Sequence, residues 1–316
     1  MATKTPVACP LPGDVDGFLP GKSTPEAHKR ALYPPCPDPK SAPQEYALWN
    51  SIAVRNPTRV AINIVEYSPP KGLYESKNWS GAVLPTRPQV YPPNPPETTY
   101  TGPTDPFDRV VGSWVIPNPH PVIVDGKYKD GDYEMYTWVG LDGWENTDCL
   151  KIGVVSVLQV KNSKIIKREN YAAILFRGKY DKSIRYFVFD GFIVEPGDLI
   201  TGCVWGEIGS STGYGWICNE GRNEWASGRI TAASGVTLQG TSSEWIMAGQ
   251  GPLERHPHPF PNYGATVFFN GFADYVSGKW AGINRAMLAN AVDVNSSADR
   301  GQNILVYGGT ALINPH

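Results

Sequence analysis

The chain has 316 residues, 41% of them apolar and 18% charged, and its 28 basic side chains nearly balance 30 acidic ones. This length and apolar fraction suffice for one large domain or two small ones, each with a proper core. A net charge of −2 argues against a nucleic-acid-binding protein, which normally needs a basic excess. No apolar run reaches the roughly 18 residues that a membrane span requires.

Proline is concentrated in the first third of the chain, because 24 of the 30 prolines lie at or before Pro121. Proline lacks a backbone donor, so this part cannot be an ordinary helical or central-sheet domain. Aromatic residues such as Tyr33 and Trp49 occur throughout this Pro-rich part, whereas disordered segments are poor in aromatic residues. We therefore predict that residues 1–74 form an ordered extension that wraps a β core.

Three elements are predicted within this extension. Pro25 stands at the first helical position of a short helix that ends at Leu32, and Pro43–Val54 is a second candidate helix that also begins with proline. The run Arg59–Tyr67 predicts a strand. Residues 85–107 form a Pro/Thr-rich loop, long enough for a surface lid or rim.

From Val110 onward, short apolar or alternating runs recur between clusters of Gly, Asn, Asp and Lys. Strands at this spacing, with little helical periodicity, predict an all-β sandwich or jelly roll over residues 75–316. Arg285–Val292 is the one plausible helix in this region.

The register of one hairpin can be predicted from residue numbers, because residues that face each other across an antiparallel hairpin have numbers with a constant sum. Cys203 and Cys218 have the same sum as Trp205 and Trp216. Both pairs would then face each other on one side of the hairpin. This predicts a Cys203–Cys218 disulfide, with two free buried thiols as the alternative.

The remaining cysteines are Cys9, Cys36 and Cys149. Cys9 and Cys36 are candidates for a disulfide that staples the extension, which would leave Cys149 free. Because the chain has no C-x-x-C motif and no His near these cysteines, we expect no zinc site or other metal site.

Sequons at Asn78 and Asn295 are candidate glycosylation sites and favour the secretory pathway or an extracellular location. The first residues show no signal peptide, so a cytoplasmic location stays open. The sequence does not indicate an oligomeric state.

Six short motifs resemble the eqolisins, the fungal glutamic peptidases, in order and in spacing. They are Asn78–Ala82, Gly112–Pro117, Trp138–Gly143, Glu195–Asp198, Ser243–Met247 and Phe268–Asn270. The resemblance implies a concanavalin-like sandwich of two bent antiparallel sheets with a concave substrate cleft. It also implies that residues 1–74 correspond either to a removable propeptide or to a permanent part of the fold.

In that family, a Glu and a Gln activate a water molecule and stabilise the tetrahedral intermediate. The resemblance places Glu244 at the Glu position, with a solvent-facing strand residue as the alternative, and Lys151 at the Gln position. An ammonium group only donates hydrogen bonds, and beside Glu244 it would form an ion pair and hold the carboxylate ionised. Gln159 faces the same side by strand parity but would require a large shift along the strand.

Two further departures from the family argue against acid proteolysis. The segment Tyr171–Arg177 lacks the carboxylate found in the family and ends on an Arg. The 28 Lys and Arg residues would repel one another at low pH, once the carboxylates are neutral. Lys151 and Arg177 are therefore candidate catalytic cations beside Glu244.

Candidate substrate-binding residues are Trp79, Trp114, Trp138, Asp142 and Tyr186. The tryptophans could equally be core residues, and Asp142 could simply hold a turn. His256 and His258 alternate with prolines and are interpreted as loop residues. No nucleophile elbow, phosphate loop or H-E-x-x-H motif is present, and we expect no cofactor.

A cleft with aromatic walls, one carboxylate and fixed cations suits a conjugated small molecule. Our first hypothesis is a non-proteolytic natural-product cyclase or pericyclase, of the hetero-Diels–Alderase kind, in which Lys151 and Arg177 polarise a carbonyl or quinone methide and Glu244 serves as acid or base. The alternatives are a secreted acid glutamic endopeptidase that uses Glu244 and a catalytically silent binding module.

Overall fold

The computed structural model describes residues 5–6, 18–60, 62–67, 79–86, 105–144, 146, 148–178, 186–249, 266–283, 287–289, 303–307 and 310–314. Two helices lie in the N-terminal segment, α1 (Pro25–Ala31) and α2 (Pro43–Ala53). The predicted starts of both helices are confirmed, and the Thr24 hydroxyl caps α1 by accepting a hydrogen bond from the Ala27 amide at 3.2 Å.

The described strands, in chain order, are β1 (Thr5–Pro6), β2 (Thr58–Arg59), β3 (Asn63–Tyr67), β4 (Trp79–Pro85), β5 (Phe107–Val115), β6 (Ile123–Val124), β7 (Lys127–Tyr128), β8 (Gly131–Leu141), β9 (Cys149–Lys161), β10 (Lys164–Arg177), β11 (Tyr186–Asp190), β12 (Leu199–Gly206), β13 (Thr212–Asn219), β14 (Glu224–Thr231), β15 (Ser242–Gly249), β16 (Thr266–Tyr275), β17 (Trp280–Gly282), β18 (Met287–Ala289), β19 (Asn303–Tyr307) and β20 (Thr310–Asn314). No described helix is long and apolar enough to cross a membrane.

The strands form two large sheets, and the predicted all-β sandwich is confirmed. Sheet 1 has the order β1-β3-β11-β10-β9-β8-β15-β4-β18, and sheet 2 has the order β19-β20-β16-β5-β12-β13-β14-β2, with β17 paired to β16. Neighbouring strands are antiparallel except for β14 and β2. The predicted strand Arg59–Tyr67 is divided between the two sheets, because β2 joins sheet 2 whereas β3 joins sheet 1.

The main core lies between the sheets and includes Trp114, Trp245, Val139 and Ile152. Trp114 is fully buried there and packs on Phe268 with ring centroids 5.6 Å apart. The expectation that Trp114 lines a cleft is therefore wrong, since its strand turns it toward the opposite sheet.

The predicted helix Arg285–Val292 is also wrong. Met287–Ala289 forms β18, which pairs with β4 at the edge of sheet 1; the residues immediately on either side lie outside the described ranges. Pairing with an available sheet edge thus outweighs the local helical propensity of this segment.

The β12–β13 hairpin is paired two residues away from the predicted register. Cys203 faces Trp216, and Trp205 faces Tyr214, on which its ring stacks with centroids 5.7 Å apart. Cys203 and Cys218 are therefore diagonal rather than opposite, a separation that is typically about 7–8 Å and too long for a disulfide. Both thiols are free and buried, so the predicted Cys203–Cys218 disulfide is wrong.

Cys36 is free and exposed. Its proposed partner, Cys9, lies outside the described residues, as do both candidate glycosylation sites, Asn78 and Asn295, and the histidines His256 and His258.

The N-terminal segment 18–60 covers the outer face of sheet 2. Its Tyr33 ring packs edge-on against Trp225 and Trp216, with centroids 5.1 and 5.4 Å away, and the cluster also contains Ile52 and Phe272. Burial of these large aromatic rings makes the segment a third layer that packs on the sandwich.

A buried ionic cluster fastens α2 to sheet 2. Arg109 on β5 contacts Glu45 of α2 at 2.9 Å, donates to Asp274 of β16 at 2.6 Å and donates to the Pro35 carbonyl at 3.0 Å. Burial raises the pKa of Glu45 to about 9, with Asp274 adding to the shift and Arg109 opposing it. Arg109 thus links the helix α2, the strand β16 and the extended N-terminal chain at Pro35.

Candidate active site

The candidate site lies on the face of sheet 1 that points away from the main core. Glu244 on β15, Gly140 on β8 and Lys151 on β9 stand in one row across three adjacent strands. Strand pairing therefore brings together two residues that are 93 positions apart in the chain (244 − 151 = 93).

Lys151 and Glu244 form the ion pair expected from the sequence. The distance from Lys151 Nζ to Glu244 Oε2 is 2.7 Å, and the two side chains are 14% and 2% exposed. Such a buried, charge-assisted contact holds both groups in one geometry.

The pKa values of both groups are shifted by this environment. Burial raises the pKa of Glu244, and the positive charge of Lys151 opposes this rise without cancelling it. For Lys151, burial is the largest single influence and works to lower the pKa, but the charge of Glu244, the nearby Cys149 and the hydrogen bond to Glu244 together outweigh it, so the net shift is upward. A falling pH therefore brings a proton to Glu244 above the usual Glu range, while Lys151 stays charged.

Two glycines leave the space that the ion pair occupies. A β-carbon on Gly140 would lie 2.7 Å from Lys151 Cγ and 3.1 Å from the Leu150 carbonyl oxygen. A β-carbon on Gly143 would lie 3.1 Å from Glu244 Oε1 and 3.3 Å from Lys151 Nζ, and the φ of +108° at Gly143 also favours glycine. The Lys151 stem thus crosses β8 only because residue 140 lacks a side chain.

We expect Gly140→Ala to displace the Lys151 side chain and to destabilise the fold by about 1–3 kcal/mol, the usual cost of overpacking. The free energy of unfolding, measured in urea, tests this expectation. Gly221→Ala is the matched control, because a β-carbon there meets only Asn219 Oδ1, at 3.7 Å. Equal stability of the two variants would show that Lys151 does not depend on Gly140.

Arg177 and Cys149 form the next row of the same face, directly opposite each other on β10 and β9. The charge of Arg177 lowers the pKa of both Glu244 and Lys151, though less than the other causes do. The three predicted catalytic residues Glu244, Lys151 and Arg177 therefore lie together in space, and their roles remain predictions.

Trp138 belongs to this face as well and stacks on Tyr136, with ring centroids 5.0 Å apart and an interplanar angle of 4°. Both rings are nearly buried, and the Tyr136 hydroxyl donates to the buried carboxylate of Glu134. The two rings form a flat aromatic wall on the face that carries Glu244 and Lys151. The wall extends along β8 from Gly140, the residue that separates Glu244 from Lys151.

Asp142 has a structural role beside the ion pair. It is buried with a positive φ of 62°, and its carboxylate accepts hydrogen bonds from the amides of residues 239–241 at 2.7–3.0 Å. The alternative interpretation of Asp142, that it holds a turn, therefore fits the structure better than substrate binding.

Trp79 and Tyr186 lie in β4 and β11 of sheet 1, but their side chains are outside the described part of the structure. Gln159 cannot replace Lys151, because eight residues along a strand correspond to about 26 Å. Among the described residues, no group of His, Cys, Asp and Glu is arranged to hold a metal ion.

The sequence analysis did not identify Tyr136, Glu134 or Gly143 as site residues. Period-two alternation backward from Trp138 would have placed Tyr136 and Glu134 on its face. Gly143 could be recognised only once the pairing of β8, β9 and β15 was known.

Comparison with known proteins supports this description. The model of the peptidase A4 family matches residues 98–308. No curated protein sequence is significantly similar to the chain.

Among solved structures, scytalido-glutamic peptidase bound to a transition-state analogue inhibitor is 18% identical over 77% of this chain and all of its own, with a TM-score of 0.55. Its complex with a peptide-based transition-state analogue gives 18% identity, the same coverage and a TM-score of 0.52. At this identity the likeness demonstrates a shared fold, and the motif resemblance seen in the sequence agrees with it.

Proposed function

Because the chain belongs to the peptidase A4 family, we propose that it is a peptide-bond hydrolase in which Lys151 and Glu244 form the reactive pair. Family membership supports this peptidase alternative better than the cyclase hypothesis drawn from the sequence. The observation that carries the proposal is the buried contact of 2.7 Å between Lys151 Nζ and Glu244 Oε2.

The chemistry follows from the two charges. Ionised Glu244 removes a proton from a water molecule, whose oxygen attacks the peptide carbonyl, and the Lys151 ammonium donates a hydrogen bond to the oxyanion that forms. Glu244 then passes the proton to the leaving nitrogen as the C–N bond breaks. Lys151 thus supplies the oxyanion donor that the amide supplies in the family.

The ion pair of Glu244 and Lys151 also sets the pH range in which we expect peptide cleavage. Because burial raises the pKa of Glu244, the base becomes available only above the usual Glu range, and Lys151 with its raised pKa remains charged at neutral pH. Cleavage should therefore rise from acid toward neutral pH. This expectation agrees with the composition, since 28 basic residues suit a protein that works away from strong acid.

Cleavage of denatured casein between pH 2 and 9 tests the proposal. We expect activity near neutral pH that Lys151→Gln lowers by about 10²- to 10³-fold, the usual effect of removing an oxyanion donor. The acid limb should move to higher pH, because Lys151 no longer lowers the pKa of Glu244. Lys167→Gln, which breaks the exposed Lys167–Glu169 pair, is the control.

Two outcomes would contradict the proposal. A wild-type protein inactive at every pH is not a peptidase, and a Lys151→Gln variant that gains cleavage at pH 2–4 would mean that Lys151 suppresses the reaction of the family.

The second candidate is the small-molecule cyclase, which no comparison supports. The parallel stack of Trp138 on Tyr136 favours it, because a flat wall beside a fixed ammonium can align a conjugated carbonyl compound. Lack of proteolysis together with turnover of such a substrate would select this candidate. Lack of both would leave the binding module. Extracellular location remains a prediction.

A further inference from the structure

Ser242 lies on the same face of sheet 1 as the ion pair. Along β15, Glu244 and Ile246 face outward whereas Trp245 and Met247 enter the main core. Because successive strand residues alternate, Ser242 shares the face of Glu244, and Ser243 points to the core.

The Ser242 hydroxyl is fully buried and has no hydrogen-bond partner among the described residues. A buried unsatisfied hydroxyl costs about 1–3 kcal/mol, so such a group calls for an explanation. The Oδ1 atom of Asn146 is also buried without a partner within the described ranges, although its Nδ2 donates to Asp142 Oδ1 at 3.1 Å.

Three polar residues, Ser242, Asn146 and Glu244, lie next to the turn Asp142–Gly143. The Asp142 amide donates to the Ser242 carbonyl at 2.8 Å, and Asn146 is hydrogen-bonded to the Asp142 side chain. Glu244 uses Oε2 for Lys151, while its Oε1 lies 3.1 Å from where a Gly143 β-carbon would be. The second oxygen of the carboxylate therefore faces the turn that Ser242 and Asn146 border.

We propose that Ser242 is a positioning residue whose hydroxyl holds the reacting water against Glu244 Oε1, an inference that rests on the proposed hydrolase function. A buried water normally needs two to four polar partners, and Ser242, Asn146 and Glu244 supply a hydroxyl, an amide oxygen and a carboxylate oxygen. The water gives its proton to Glu244 and its oxygen to the carbonyl carbon, and Ser242 forms no covalent bond.

The chain contains a matched control. Ser243 is the neighbouring residue and is also fully buried with an unpartnered hydroxyl in the described structure, but it faces the core. Ser242→Ala should lower kcat about tenfold with KM unchanged, as expected for one lost hydrogen bond, whereas Ser243→Ala should leave kcat unchanged. Ser242→Thr, which retains a hydroxyl, should restore turnover.

A second measurement does not depend on turnover. NMR titration of the ¹³C-labelled Glu244 carboxyl in the full chain should show its pKa rising in Ser242→Ala, because a water that donates to the ionised carboxylate is lost. The pKa in Ser243→Ala should equal that of the wild type. If peptides are not cleaved but this difference is present, the hydrolase proposal fails and the placement of Ser242 stands. If Ser242→Ala and Ser243→Ala titrate alike, the Ser242 proposal is overturned whatever the turnover.

Discussion

Glu244→Gln is expected to lower kcat for peptide cleavage by about 10²- to 10⁴-fold, the usual contribution of a positioned general base. Glutamine has nearly the shape of glutamate but cannot take the proton from water. The ionisation of Glu244, whose pKa is raised by burial, produces the fall of activity at acid pH. The residual activity of Glu244→Gln should therefore no longer show this fall. Initial rates on a fluorogenic peptide, measured across pH 3–9, test this expectation.

The same substitution leaves Lys151 buried without its carboxylate, and breaking a buried pair typically costs about 3–5 kcal/mol. Loss of activity could then follow from unfolding. Glu244→Asp separates the two effects, because it keeps the charge but withdraws the carboxylate by one methylene group. We expect this variant to retain its folded near-UV circular dichroism while losing most of its turnover.

Glu169→Gln is the control for the loss of a paired carboxylate elsewhere in sheet 1, because Glu169 lies on β10 in an exposed ion pair with Lys167. Its kcat should match that of the wild type. Wild-type turnover in Glu244→Gln would remove Glu244 from the mechanism, and with it the proposed function.

The sequence was sufficient to predict the fold class and part of the site. Alternating apolar runs follow from the need of each strand to bury one face, so the sandwich could be predicted from residues close in sequence. The motif resemblance identified Glu244 and Lys151, and the charges of these two residues dictated the ion pair observed at 2.7 Å.

Register and partner choice could not be predicted in the same way. In the hairpin that carries Cys203, a shift of two residues keeps every side chain on its face, so the alternation pattern cannot distinguish the two pairings. Trp114 and Trp138 both lie in alternating, strand-like segments of the sequence. Only the arrangement of β5 and β8 in different sheets shows that the Trp114 ring lies in the main core and the Trp138 ring on the outer face that carries Lys151. These properties depend on contacts between distant residues.

The Pro-rich segment illustrates the same limit. Tyr33 and Trp49 predicted an ordered segment, but they gave no indication that residues 18–60 cover the outer face of sheet 2, away from the face of sheet 1 that carries the ion pair. A segment that packs on sheet 2 does not block the face of Lys151.

Arg109→Ala is expected to destabilise the protein by about 3–5 kcal/mol, because it removes the only cation that contacts both Glu45 and Asp274 in the described structure. Arg55→Ala also breaks a contact between the N-terminal segment and sheet 2, the Arg55–Glu220 pair, but Arg55 is 39% exposed. That exposed pair should contribute only about 0–1 kcal/mol. Urea unfolding of both variants at pH 10, above the pKa of about 9 of Glu45, tests the difference.

The pH dependence of this destabilisation distinguishes charge from packing. Burial already raises the pKa of Glu45 to about 9, so this carboxyl binds its proton more readily in the folded state than in the unfolded chain. As the pH falls through about 9, Glu45 takes up a proton and needs Arg109 less, so the difference in stability between Arg109→Ala and the wild type should narrow. A difference in stability that is the same at pH 10 and at pH 7 would assign the effect to the lost side-chain packing of Arg109. Equal stability of Arg109→Ala and Arg55→Ala would show that the ionic cluster around Arg109 does not fasten the N-terminal layer. The layer would then depend on its aromatic contacts, chiefly those of Tyr33 with Trp216 and Trp225.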